Sequence, residues 1–257
     1  MKKNSLVLAS LMLAFVLTSF YVSQKQDKPY PIDDILAKTT NDQLPMSIVL
    51  YDMDVKNQDN SQTSTKYFQR YKVITNMDDP KKSKTVITDW QEVSEKDFAK
   101  NYDNLDMELA SKTMEANNQL KISKVPAPPG FTNFVGNEKY GQWKVHNDGT
   151  SFWAFHGKYM FMKSMFHMTT HPVHKNAYNN YRRNYYHRSA FYGDTDIGRR
   201  YGTGSRFSRS ISRSGYYTSK RSMRARTAYA DTHYERHYRS GNRSGYSSRY
   251  RGGNYGK

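Results

Sequence analysis

From Ser5 to Val22 the chain runs SLVLASLMLAFVLTSFYV, 18 residues without a charge, behind the basic start Met1-Lys2-Lys3. That pattern predicts an export segment over residues 1–27, as a secretory signal peptide or an uncleaved signal anchor. No A-x-A cleavage site follows, which favours the anchor. Lys2 and Lys3 favour an N-terminus inside, with residues 5–22 in the membrane if uncleaved and everything after them exported.

Residues 28–168 read as an α+β domain. Pro31 to Lys38 predicts a short helix, with Pro31 in its first turn, Asp33 and Asp34 at the positive end, and Ile32, Ile35 and Leu36 on one stripe. Met46–Val55, Lys66–Thr75 and Thr85–Val93 have strand composition or alternation, and the cluster Asn76–Lys82 turns the last two into a hairpin. Ser94 reads as an N-cap. Phe98, Tyr102, Leu105 and Leu109 then follow at helical spacing and predict one long amphipathic helix to about Asn117, packed on a small antiparallel sheet. Lys124–Gly130, rich in proline, reads as extended. Asn147-Asp148-Gly149 marks a second hairpin that carries Trp143, Phe152, Trp153 and Phe155.

Beyond His171-Pro172 the pattern stops. Val173, Ile197 and Ile211 are the only branched aliphatic residues left, and leucine is absent. Residues 169–257 therefore read as a disordered tail, unable to offset its ordering entropy by burial.

Charge sharpens this division. The whole chain holds 40 Lys+Arg against 23 Asp+Glu, a net charge of +17. Of these, 19 Lys+Arg and only 4 Asp+Glu lie from His171 onward, with 16 of the 17 arginines and 14 of the 22 tyrosines. Guanidinium groups form forked contacts to phosphate and carboxylate and stack on aromatic rings. The candidate polyanion-binding residues are Arg182, Arg183, Arg188, Arg199, Arg200, Arg206, Arg209, Arg213, Arg221, Arg224, Arg226, Arg236, Arg239, Arg243, Arg249 and Arg251. In an exported protein their partners would be anionic lipid, a cell-surface polymer or extracellular DNA.

Other chemistry is sparse. With no cysteine there is no disulfide, thiolate nucleophile or cysteine-ligated metal. The common phosphate-loop, dinucleotide, nucleophile-elbow and HExxH motifs are missing too. Between His156 and His174 methionine and histidine are dense, and imidazole with thioether suits copper. His167, His171 and His174 have helical spacing and are the candidate metal ligands, although Pro172 interrupts that helix. The competing reading places these methionines in the core. Asp52 and Asp54 alternate on a strand and read as a solvated face.

The function expected from the chain alone is a non-enzymatic bacterial envelope protein, exported or membrane-anchored, whose basic tail contacts polyanions. Two alternatives stay open. One is a membrane-tethered RNA- or DNA-binding protein with a cytoplasmic tail. The other is a periplasmic copper-binding or stress factor. A hydrolase without a standard motif is a further one.

Overall fold

The computed structural model describes residues 29–57, 65–195 and 198–211. The export segment over residues 1–27 lies outside the described residues. Among the described residues no helix is long and apolar enough to cross a membrane.

The fold is a mixed α/β structure built on an antiparallel sheet. Helix α1 (Pro31–Lys38) leads into β1 (Met46–Asn57), β2 (Thr65–Thr75), β3 (Lys84–Ile87) and β4 (Gln91–Val93). Helix α2 (Glu95–Asn101), β5 (Glu108–Met114) and β6 (Leu120–Ser123) follow. The spatial order is β3-β2-β1-β5-β6, with β4 also paired to β2. The predicted strand Thr85–Val93 is thus two short strands separated at Thr88–Trp90. The Thr88 hydroxyl accepts the Tyr71 amide across that gap.

A register shift between Leu50 and Asp52 keeps β1 in its core. Before the shift Met46, Ile48 and Leu50 face the cluster beneath the sheet; after it Met53 and Val55 do. One extra residue reverses the parity of a strand, so without it Met53 would turn away. Asp52 and Asp54 then fall on the other face, and both are buried rather than solvated. Each carboxylate accepts the next residue's backbone amide.

The long helix predicted from Ser94 to about Asn117 does not form. Ser94 does cap α2, accepting the Asp97 amide at 3.0 Å, but the helix stops at Asn101. Asn104 folds back onto the Lys100 carbonyl, and Asp106 takes a left-handed φ of 61°. The chain then joins the free edge of β1: Leu50 N–H donates to the Met107 carbonyl and Asp106 N–H to the Leu50 carbonyl. An unpaired central strand edge would leave buried amides without partners, and that demand outweighs weak helix propensity in Asn101–Asn104. Leu105 and Leu109 still reach the core, from a turn and a strand. Lys112, on β5, is buried and donates to the Leu36 and Thr39 carbonyls at 3.2 and 2.7 Å, placing a cation at the negative end of α1.

The second half holds β7 (Gly141–Val145) and β8 (Ser151–Phe155), the predicted aromatic hairpin, then α3 (Phe161–Met165). Next come α4 (Lys175–Asn180), which continues through a π turn at Tyr181–Tyr185, the short strands β9 (Asp194–Thr195) and β10 (Gly198–Arg199), and α5 (Arg206–Ile211).

Here the expected tail boundary at residue 169 is overturned. Val173, Tyr181, Phe191, Tyr201 and Phe207 are buried in one cluster with Phe131, Phe134, Trp153, Phe155 and Phe166. Backbone hydrogen bonds tie the segment in: Trp153 N–H to the Val173 carbonyl at 2.9 Å and Thr203 N–H to the Asp103 carbonyl at 2.9 Å. The Thr203 hydroxyl donates to the Tyr102 carbonyl, and Tyr192 Oη to Asn104 Oδ1. Gly202 has φ +85°, and a Cβ there would lie 2.4 Å from the Asp103 carbonyl, so this crossing admits only glycine. The aliphatic count misled because tyrosine and phenylalanine build this core. Each aromatic ring buries as much area as a branched aliphatic side chain or more.

Candidate functional site

The arginines are distributed by the fold. Arg182, Arg183 and Arg188 are exposed along α4 and the turns after it. Arg206 and Arg209 are exposed on α5. Arg199 pairs with Asp103 at 3.1 Å. Arg200 donates to the Pro172 carbonyl at 2.8 Å, so it braces the fold. Arg213, Arg221, Arg224, Arg226, Arg236, Arg239, Arg243, Arg249 and Arg251 lie outside the described residues.

The three candidate metal ligands do not converge. Among the described residues no group of three His, Asp or Glu side chains is placed to hold a metal ion. The rings of His167 and His171 both meet Phe207 edge-on, whereas His174 sits in an isolated bridge to Phe152 on β8. The surrounding methionines are largely core: Met162 and Met168 are buried. Pro172 is one reason the helical spacing fails; another is His167, whose left-handed φ of 56° breaks the helix.

His167 is instead a stability element. Burial, reinforced by the Lys72 ammonium and His171, pushes its pKa down to about 4. The fold therefore favours the neutral ring. Its contribution is full above the ordinary value of 6.5 and is lost as pH falls from there toward 4. His167→Asn keeps a side chain that tolerates the left-handed backbone. Its melting temperature should fall less steeply than that of the parent between pH 6.5 and 4. Parallel declines for the two proteins would remove His167 from the account.

Among the described residues lies a groove of about 950 Å³ that sequence patterning did not reveal. One wall is the end of the β5–β6 hairpin, with Glu115, Ala116 and Lys121. The floor is the turn-rich run from Thr132 to Tyr140. The other wall is α4 and its π turn, with Tyr178, Arg182 and nearby Tyr186. Among the described residues Arg182 is the one predicted arginine that reaches it, its guanidinium 3.6 Å above the centre of the Tyr186 ring.

Each wall is held from behind. Asn133 Nδ2 donates to Ser111 Oγ at 2.9 Å. Gly136, at φ +74°, lies flat against Tyr178, where a Cβ would approach the ring to 2.4 Å. Tyr178 rests edge-on against Phe131 in the aromatic core. Behind Thr132, the fully enclosed Glu108 accepts Ser47 Oγ at 2.7 Å, and burial raises its pKa, which favours the neutral acid. At the rim Lys121 pairs with Glu115 at 3.3 Å and Lys139 with Asp78 at 3.1 Å. The hydrogen bond that the Lys121 ammonium donates to Tyr186, together with Glu115, holds its pKa above the usual value.

No protein-family model, curated protein or solved structure matches this chain. The groove escaped sequence reasoning because its residues come from five separated stretches and share no spacing. Its one local signal is Gly136 amid asparagines and aromatic residues.

Proposed function

We propose that this protein is a non-enzymatic, exported or membrane-anchored envelope protein whose arginine-rich C-terminal region contacts a polyanion: anionic lipid, a cell-surface polymer or extracellular DNA. The observation that carries this reading is the exposed placement of Arg182, Arg183, Arg188, Arg206 and Arg209 on the folded part. They lie immediately before residues 212–257, which hold 11 Lys+Arg against 2 Asp+Glu. Folded arginines and the segment after them thus form one cationic stretch of chain. Binding by such a stretch is driven by counterion release and is insensitive to sequence.

The full chain is expected to sediment with phosphatidylglycerol vesicles and to be retarded by duplex DNA at low salt. Six or more phosphate contacts imply an affinity loss of at least ~10³-fold from about 50 to about 200 mM salt. A chain ending at Ile211 should lose most of the low-salt binding and show a much shallower salt slope. Equal retention of the two chains would refute the assignment. A C-terminal alkaline phosphatase fusion, active only if exported, tests the compartment separately.

A further inference from the structure

We propose that the groove between the β5–β6 hairpin and α4 is a binding site for a neutral oligosaccharide. Arg182 belongs both to this site and to the polyanion-contacting stretch, but the site is argued from different observations.

The charge balance comes first. Lys121, Lys139 and Arg182 are offset by Asp78, Glu115 and Glu138, and two of the three cations are already paired. A polyanion entering the groove would meet three carboxylates for three cations and gain little. An uncharged ligand is not penalised.

The lining chemistry comes second. Asn41, Asn133 and Asn137 contribute side-chain amides, and Tyr140, Tyr178 and Tyr186 contribute rings and phenols. A sugar hydroxyl both donates and accepts. Amides present both functions in one plane, and phenols do so at a single atom. The C–H faces of a pyranose pack on aromatic rings as other apolar surface does. The volume lies near the top of the ~300–1,000 Å³ range of ligand pockets, enough for a chain of several rings.

Preorganisation is the third observation. The Asn133–Ser111 bond, the Gly136–Tyr178 contact and the Arg182–Tyr186 stack set the walls without a ligand. Little side-chain entropy is then left to lose on binding. A peptide fits less well. Peptides dock by strand addition or by seating apolar side chains. The exposed Leu120 and Ile122 of the β6 edge alternate with Lys121, so they lie on the strand face away from the groove.

The experiment is calorimetric titration of the full chain with N-acetylglucosamine hexamer, cellohexaose and maltohexaose. A mixed-charge hexapeptide and heparin are run beside them. At least one neutral hexamer is expected to bind saturably, with Kd below about 1 mM and an affinity unchanged at high salt. Ala116→Trp, an exposed turn position on the groove wall, should weaken that binding at least about tenfold with an unchanged melting temperature. The chain ending at Ile211 should bind the sugar as the full chain does, even as it loses vesicles and DNA. Failure of the polyanion reading is therefore distinguishable from failure of this one. The proposal is overturned if no neutral hexamer binds, if Ala116→Trp leaves the affinity intact, or if only the peptide or heparin is blocked by that substitution.

Discussion

Ending the chain after Thr170 should destroy the aromatic half of the fold, whereas ending it after Ile211 should leave it intact. The shorter chain loses Val173, Tyr181, Phe191, Tyr201 and Phe207, all at most 3% exposed. At ~1.5–3 kcal/mol for each fully buried side chain, five of them represent roughly 8–15 kcal/mol. That equals the whole ~5–15 kcal/mol stability of an ordinary domain. The cut also removes the Val173 carbonyl that accepts Trp153 N–H and the Thr203 bonds to the turn after α2. Loss of near-ultraviolet circular dichroism and of a cooperative melting transition is the expected result, together with dye binding to exposed apolar surface. A chain ending at residue 170 that melts like the full protein would show that the aromatic cluster closes without its second half. The consequence for binding assays is direct: the tail is cleanly removed only beyond Ile211.

Phe131→Ala should be the most damaging single truncation, costing ~3–5 kcal/mol. Phe131 is 1% exposed. Its ring meets Tyr178, Tyr181, Phe191 and Tyr201, with centroids 5.5–6.1 Å away. Three of those contacts are edge-on, the geometry that adds to area burial. The partners come from α4, its π turn and the loops around β9–β10, so a hole at Phe131 loosens several elements together. Val145→Ala, at 67% exposure, is the control and should change stability by less than ~0.5 kcal/mol. Urea unfolding reads both. A cost below about 1 kcal/mol for Phe131→Ala would mean that the neighbouring rings collapse into the space. Because Tyr178 rests on Phe131, the variant should also weaken any ligand held in the groove.

Local pattern served well where one residue's chemistry decides an outcome. Pro31 starts α1, Ser94 caps α2 and Asp148-Gly149 turns the β7–β8 hairpin, all as the sequence predicts. It failed where the outcome depended on what lay opposite. The helical spacing of Phe98, Tyr102, Leu105 and Leu109 was real, and three of these four are fully buried. Yet the unpaired edge of β1 drew Asp106 and the residues after it into the sheet. Asp52 and Asp54 looked solvent-facing because alternation does not show a bulge or what covers a strand.

By itself the sequence determined helix α1, an antiparallel sheet from the strands before Ser94, the aromatic hairpin and the concentration of arginine after residue 171. Each of these follows from local spacing or composition. Tertiary structure alone decided where the core ends, which of the described arginines stay exposed, that the three histidines do not converge on one point, and that a balanced polar groove exists. Those outcomes depend on side chains far apart in the chain meeting one another. Tyrosine makes the point most sharply. In the sequence it looks the same in a basic tail and in a packed core, and for Tyr178, Tyr181 and Tyr201 it is Phe131, meeting each ring edge-on, that draws them into the core.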